Sequence, residues 1–165
     1  MAQSRAAAEA ATTDTLDLDS VSAVIWMQGP RYLLQHREDR EGVAYRNWWS
    51  LFGGAREPGE TGDAALRREL LEELDFQVVE CMPLLGCIFD LCFEGLKTRK
   101  IFFTVEMTQA EADGLVLREG QGMAWLRFVE ILARADRIVP YDLGVIALHN
   151  SRVGSGAICV EEVGS

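Results

Sequence analysis

Three observations predict an α+β fold. Apolar and β-branched runs of strand length recur along the chain, an alanine- and leucine-rich stretch over residues 62–74 has helical periodicity, and a second helical stretch follows Pro140. No internal repeat interrupts this order.

Residues 1–17 are rich in Ala, Thr and Ser and lack the basic start and continuous apolar run of a secretory signal. They are expected to form a flexible N-terminal tail, and the helix propensity of residues 6–11 offers a short helix against a partner subunit as the alternative. Residues 18–165 are then read as one domain. Residues 21–27 are β-branched and apolar, Gln28-Gly29-Pro30 is a turn, and Tyr32-Leu33-Leu34 resumes the strand, giving a hairpin. A polar stretch over residues 36–47 follows, and Trp48-Trp49-Ser50-Leu51 leads back into the sheet before Gly53-Gly54. Thr61 is the expected N-cap of the helix, with Asp63 near its positive end. Beyond it, residues 76–79, 84–93 and 100–107 read as strands, with Gly95 in the turn between the last two, and Trp125-Leu126 as a further short one. Residues 129–134 and 141–150 read as helices, the second introduced by Pro140.

A chain of 165 residues with 48% apolar content can bury a proper core. Its formal net charge of −10 disfavours long nucleic acid and anionic membrane as partners, and leaves a small phosphate ester arriving with its metal compatible. No stretch is long and apolar enough to cross a bilayer. Cys81, Cys87, Cys92 and Cys159 lack zinc-ligand spacing, with only His36 and His149 to assist them, and read as reduced, mostly buried thiols of a cytoplasmic protein.

The chemistry is concentrated in the first helix. Glu69, Glu72 and Glu73 lie three and four positions apart, so a helix holds all three carboxylates along one edge, while Leu66, Leu70 and Leu74 form the adjoining packing stripe. Three anions within one turn repel each other, and only Arg68 stands by to neutralise them. Oxygen-only ligands of this hardness suit Mg²⁺, with Mn²⁺ as a substitute, and such clusters commonly bridge the metal to substrate phosphates. Gly53-Gly54 lets backbone groups approach a metal or phosphate closely. A solvated helix with ordinary i,i+4 charge pairs explains the glutamates and the arginines, but requires neither the upstream glycine nor Glu60.

Gly54, Glu60, Arg68-Glu69, Glu72-Glu73 and Phe76 together resemble the signature of the MutT-like Nudix hydrolase family, Gly-x5-Glu-x7-Arg-Glu-U-x-Glu-Glu-x-Gly-U, where U is bulky and apolar. Asp75 replaces the late glycine, and Trp49-Ser50-Leu51-Phe52-Gly53-Gly54 lacks the proline many members carry before the double glycine. Neither departure touches a carboxylate, and Asp is among the few residues that enter the left-handed conformation expected at that helix end. The resemblance implies an α/β/α sandwich with the mixed sheet between helices. It implies a metal site of Glu69, Glu72, Glu73 and the carbonyl of Gly53 or Gly54, with Glu60 and Arg68 paired so that Arg68 holds the carboxylates in place. By position, Glu119 looks like the loop glutamate that reaches the cluster from the opposite side in several members.

The activity implied is Mg²⁺-dependent cleavage of a nucleoside diphosphate linked to another moiety, with Glu72 or Glu119 taking a proton from water. A nucleoside triphosphate cleaved to monophosphate and pyrophosphate is the first choice, and a nucleotide sugar or ADP-ribose the next. Arg37, Arg46 and Lys100 are candidates to meet phosphate, and Tyr45, Trp48 and Tyr141 to stack on a base, whereas Trp49 and Trp125 read as packing residues. A non-catalytic Nudix-fold sensor is the alternative of another class, disfavoured because every signature glutamate is present. Members of the family are often homodimers.

Overall fold

The computed structural model describes residues 18–91 and 96–154. Strands β1 (Leu18–Met27) and β2 (Arg31–His36) form the expected hairpin, in register at Trp26 with Tyr32 and Met27 with Arg31, and then diverge. Residues 49–55 enter the gap. Strand β3 (Trp49–Ser50) pairs with the far end of β2, and the amides of Ala23 and Val21 donate to the carbonyls of Phe52 and Gly54, each at 2.9 Å. The double glycine is thereby wedged inside the sheet rather than left on a free loop.

Helix α1 (Gly62–Leu74) follows, capped by Thr61, whose hydroxyl accepts the amide of Ala64 at 3.2 Å. Strands β4 (Met82–Leu91) and β5 (Leu96–Glu106) are antiparallel, and β5 runs parallel to β1, which makes the sheet mixed. Its order is β3-β2-β1-β5-β4, with β6 (Gly122–Arg127) on the other edge of β2. Helices α2 (Gln109–Asp113), α3 (Phe128–Leu132) and α4 (Pro140–Val153) complete the described chain, with a 3₁₀ turn at Ala135–Arg137.

Alternation along β1 sends side chains to opposite faces. Val21, Ala23 and Ile25 pack with Leu66, Leu70 and Leu74 of α1, while Val24 packs with Ile131 of α3 and Val145 and Ile146 of α4. The sheet therefore lies between α1 on one side and α3 with α4 on the other, the sandwich the sequence implied.

Residues 76–79 are not a strand. Asp75 turns the chain in the left-handed conformation (φ 55°), the Phe76 amide closes back on the Leu70 carbonyl at 3.2 Å, and Arg67 binds the Val78 carbonyl. Phe76 and Val78 pack on the α1 core, so the apolar run anchors the helix end instead of pairing. Helix α2 was not read from the sequence, although Thr108 and Glu111 form a reciprocal capping box that marks its start. Cys81 and Cys87 are free, half-buried thiols. The tail over residues 1–17, Cys92, Gly95 and Cys159 lie outside the described residues.

Candidate active site

Helix α1 presents one edge of carboxylates. Arg68 sits at the centre of that edge and binds Glu60 with two parallel contacts, Nε to Oε1 at 3.1 Å and Nη2 to Oε2 at 3.0 Å. Its Nη1 donates to Glu69 at 2.7 Å and to Glu72 at 3.3 Å, and Nη2 also reaches the Ala55 carbonyl at 2.9 Å. Fork-shaped pairing of this kind fixes direction as well as charge. The Glu60 carboxyl is held below its ordinary range by Arg68.

Glu73 lies deeper. It is 6% exposed, its Oε2 accepts the Gly53 amide at 2.8 Å, and its Oε1 accepts Gln35 Nε2 at 3.3 Å. Burial pushes its carboxyl up to about 7, the Gly53 hydrogen bond opposes the rise, and Glu69 and Glu119 add repulsion. Burial raises Glu69 as well, against the pull of Arg68. Both groups thus resist ionising together in a pocket that lacks enough positive charge.

Glu69, Glu73, Gly53 and Gly54 line a cavity of about 270 Å³, and Glu119 and Gly120 close it from the loop before β6. Glu72 is brought to the same helix edge but does not line the cavity, and its side chain is 57% exposed. Arg37 lines this cavity, whereas Tyr45, Arg46 and Trp48 line a larger neighbouring one of about 680 Å³ that also includes Arg137. Val43 borders both. The rings of Tyr45 and Trp48 meet at 5.5 Å, and Tyr45 stands edge-on to Tyr141 at 6.0 Å. Lys100 rests its ammonium 5.1 Å over the Tyr141 ring, beside the buried Asp142. Trp49 stacks on His36 at 4.8 Å and packs against the α4 side of the core.

Two buried polar residues were missed in the sequence. Gln35 bonds Glu73 and the Leu51 carbonyl, and Asp142 accepts the Leu51 amide at 3.0 Å, so the peptide just before the glycines is held from both sides. Gln35 left a signal: an amide two residues after Leu33 on a strand shares its core face. Asp142 left none, since an acid in a helix's first turn is ordinary.

The donor set is oxygen throughout, which fits a hard divalent cation. Gly54 serves the same end, because a Cβ there would collide with the Glu69 carboxylate. Among the described residues no three His, Cys, Asp or Glu side chains stand close enough to hold an ion as placed.

Residues 17–147 match the family model described as NUDIX domain. The chain belongs to the Nudix hydrolase family. It is 31% identical over 134 residues to the nucleoside triphosphatase NudI of Salmonella arizonae, a match covering 74% of this chain and 86% of that protein. The NudI protein of Escherichia coli O17:K52:H18 is 32% identical over 126 residues, 69% of this chain and 80% of its own. In fold, the Nudix chain is similar to the MutT protein of Methanosarcina mazei, with a TM-score of 0.70 at 20% identity over 86% of this chain and 98% of that one. The NUDIX domain of Shewanella oneidensis NrtR, solved with ADP ribose, aligns with a TM-score of 0.64 at 17% identity over 82% and 88% of the two chains. Nudix hydrolases in general use a divalent metal and act on small nucleotides.

Proposed function

We propose that this Nudix hydrolase cleaves nucleoside triphosphates to monophosphate and pyrophosphate with Mg²⁺. The observation that carries the reading is the cavity that Glu69, Glu73 and Glu119 line together with the double glycine, with Arg68 bound to Glu60 and Glu69 beside it. The choice of a triphosphate rests on the NudI relatives, which are named nucleoside triphosphatases and align over most of their length.

Glu69, Glu73 and the Gly53 carbonyl would hold the ion. Gly53 is favoured over Gly54 because the Gly54 carbonyl already accepts the Val21 amide. When bound, Mg²⁺ supplies charge neutralisation for the polyphosphate and acidifies water. Arg68 keeps Glu69 and Glu72 oriented, and Arg37 on the cavity wall would meet a phosphate oxygen. Glu119 takes the proton of the attacking water. It lines the cavity without the buried hydrogen bonds that hold Glu73, while Glu72 lies outside. The water oxygen bonds to phosphorus, the bridging P–O bond between the first two phosphates breaks, and pyrophosphate leaves. The neighbouring cavity, walled by Tyr45 and Trp48 with Arg46 at its side, takes the nucleoside.

The test is formation of nucleoside monophosphate from a panel of nucleoside triphosphates, a nucleotide sugar and ADP-ribose, with Mg²⁺ or with chelator, the second product being identified as pyrophosphate or a sugar phosphate. Turnover of triphosphates that disappears with chelator is expected. Hydrolysis of ADP-ribose or the sugar nucleotide in their place would redirect the substrate, and binding without hydrolysis of any compound would make the protein a sensor.

A further inference from the structure

We propose that Gln35 is a positioning residue that sets the Glu73 carboxylate for the divalent ion. This rests on the reading of Glu73 as a metal ligand and adds a residue that lies outside the family signature. Gln35 is 5% exposed on β2, and its Nε2 donates to Glu73 Oε1 at 3.3 Å and to the Leu51 carbonyl at 3.2 Å. Both partners are acceptors, so only the NH₂ end can face them, and both of its hydrogens are used. The other oxygen of Glu73 accepts the Gly53 amide at 2.8 Å. The carboxylate is therefore gripped on each oxygen, and rotation about its last bond breaks one grip or the other.

Gln35 also joins two segments that border the cavity. Leu51 stands two residues before Gly53 in the wedge between β1 and β2, so one amide side chain ties the glycine segment to the helix carboxylate. The free end of that amide faces the Glu119 loop: a Cβ at Gly120 would lie 3.4 Å from Gln35 Oε1, and Gly120 and Glu119 border the same cavity. An aliphatic side chain would fill this core position without the desolvation cost of an amide. The polar residue is explained by what it orients.

The experiment compares the wild-type chain with Gln35→Met, which keeps length and removes both hydrogen bonds. Mn²⁺ binding is read by electron paramagnetic resonance, alongside the Mg²⁺ dependence of turnover and the thermal midpoint of the metal-free protein. Loss of a residue that orients a ligand typically weakens metal affinity by ~10–100-fold. That weakening is expected here, with turnover recovering as Mg²⁺ is raised. A packing role would lower the thermal midpoint and leave Mn²⁺ affinity unchanged, and that result overturns the proposal. Should Gln35→Met not fold, Gln35→Asn, which withdraws the amide by one methylene, decides by the same criterion. Failure of both to fold marks Gln35 as structural and also overturns it. Glu73→Gln measured in parallel separates the two readings: if it too binds Mn²⁺ like wild type, the metal assignment of Glu73 has failed, and if it alone loses the ion, only the role of Gln35 has.

Discussion

Arg67 and Arg68 are neighbours on α1 with opposite duties. Arg67 pairs with Asp63 at 2.8 Å, one turn back, and binds the Val78 carbonyl, fastening the helix to the segment that leaves it. Arg68 pairs with Glu72 at 3.3 Å, one turn on, but its main partner is Glu60, outside the helix. In sequence both look like i,i+4 surface pairs of the kind worth a few tenths of a kcal/mol. What separates them is where the outside partner lies: Arg67 reaches the segment that leaves the helix, whereas Glu60 and the Ala55 carbonyl tie Arg68 to the loop that follows Gly53 and Gly54. The site edge of α1 is thus crosslinked to another segment through acids that repel each other, and the structural edge is simply satisfied.

The sharpest way to separate the edges is to neutralise the deepest acid. Glu73→Gln is expected to reduce Mg²⁺-dependent turnover by well over ~10²-fold, more than the ~10–100-fold that supporting residues cost. The protein should remain folded, since the amide keeps the volume and its oxygen still accepts one of the two hydrogen bonds donated by Gly53 and Gln35. A variant retaining near-wild-type turnover would remove Glu73 from the metal site.

The same residue predicts a stability effect of defined sign. In the folded chain the Glu73 carboxyl titrates at about 7 against a reference of 4.5, so folding takes up a proton between those values. Metal-free stability should therefore fall as pH rises from about 4.5 to about 7, by up to ~3 kcal/mol from this group alone. Glu69, shifted the same way, adds to the slope. Chemical denaturation of the metal-free protein across this range should show the decline, Glu73→Gln should flatten it, and Mg²⁺ should restore stability at the upper end by binding the folded state. A slope through this window that Glu73→Gln leaves unchanged would contradict the burial of Glu73.

Next in size is the contrast between the arginines themselves. Arg68→Met should cost ~10–100-fold in turnover by loosening Glu69 and Glu72. Arg67→Met should leave turnover near wild type and lower stability by no more than about 1 kcal/mol, as expected for a pair this exposed. Equal losses of activity in the two variants would erase the distinction between the edges.

Much of this division is legible in the amino-acid sequence alone. The helix, its Thr61 cap and the leucine stripe follow from local spacing, where 3.6-residue periodicity leaves little freedom, and the Glu60–Arg68 pairing follows from the likeness to the Nudix signature. The divergence of β1 and β2 is not legible, because pairing across a sheet depends on partners far away in sequence. The segment over residues 76–79 misleads for a related reason: a short stretch with Phe76 and Val78 turned to the core packs equally well as a strand or as a cap, and the turn at Asp75 chooses the second. Nor does the sequence tell how the loop candidates divide. Arg37 reaches the carboxylate cavity while Tyr45, Arg46 and Trp48 line its neighbour, and between them the loop takes left-handed turns at Tyr45 (φ 51°) and Asn47 (φ 61°) that no local pattern announces.

The smallest predicted effect lies where α1 ends, beyond both edges. Asp75 occupies the left-handed conformation at φ 55° and ψ 32°, where a Cβ costs on the order of 1 kcal/mol relative to glycine. Its carboxylate also pairs with Arg118 at 2.8 Å, an exposed contact that offsets part of that cost. Asp75→Gly removes strain and ion pair together, whereas Asp75→Asn keeps a residue that tolerates the turn and removes only the charge. Thermal denaturation should therefore place Asp75→Gly above Asp75→Asn by less than about 1 kcal/mol. Turnover should be unchanged in both, because the backbone amide of Arg118 still donates to the Glu73 carbonyl at 2.8 Å and keeps the approach to Glu119 in place. If Asp75→Gly instead melts no higher than Asp75→Asn, the departure from the signature carries no strain.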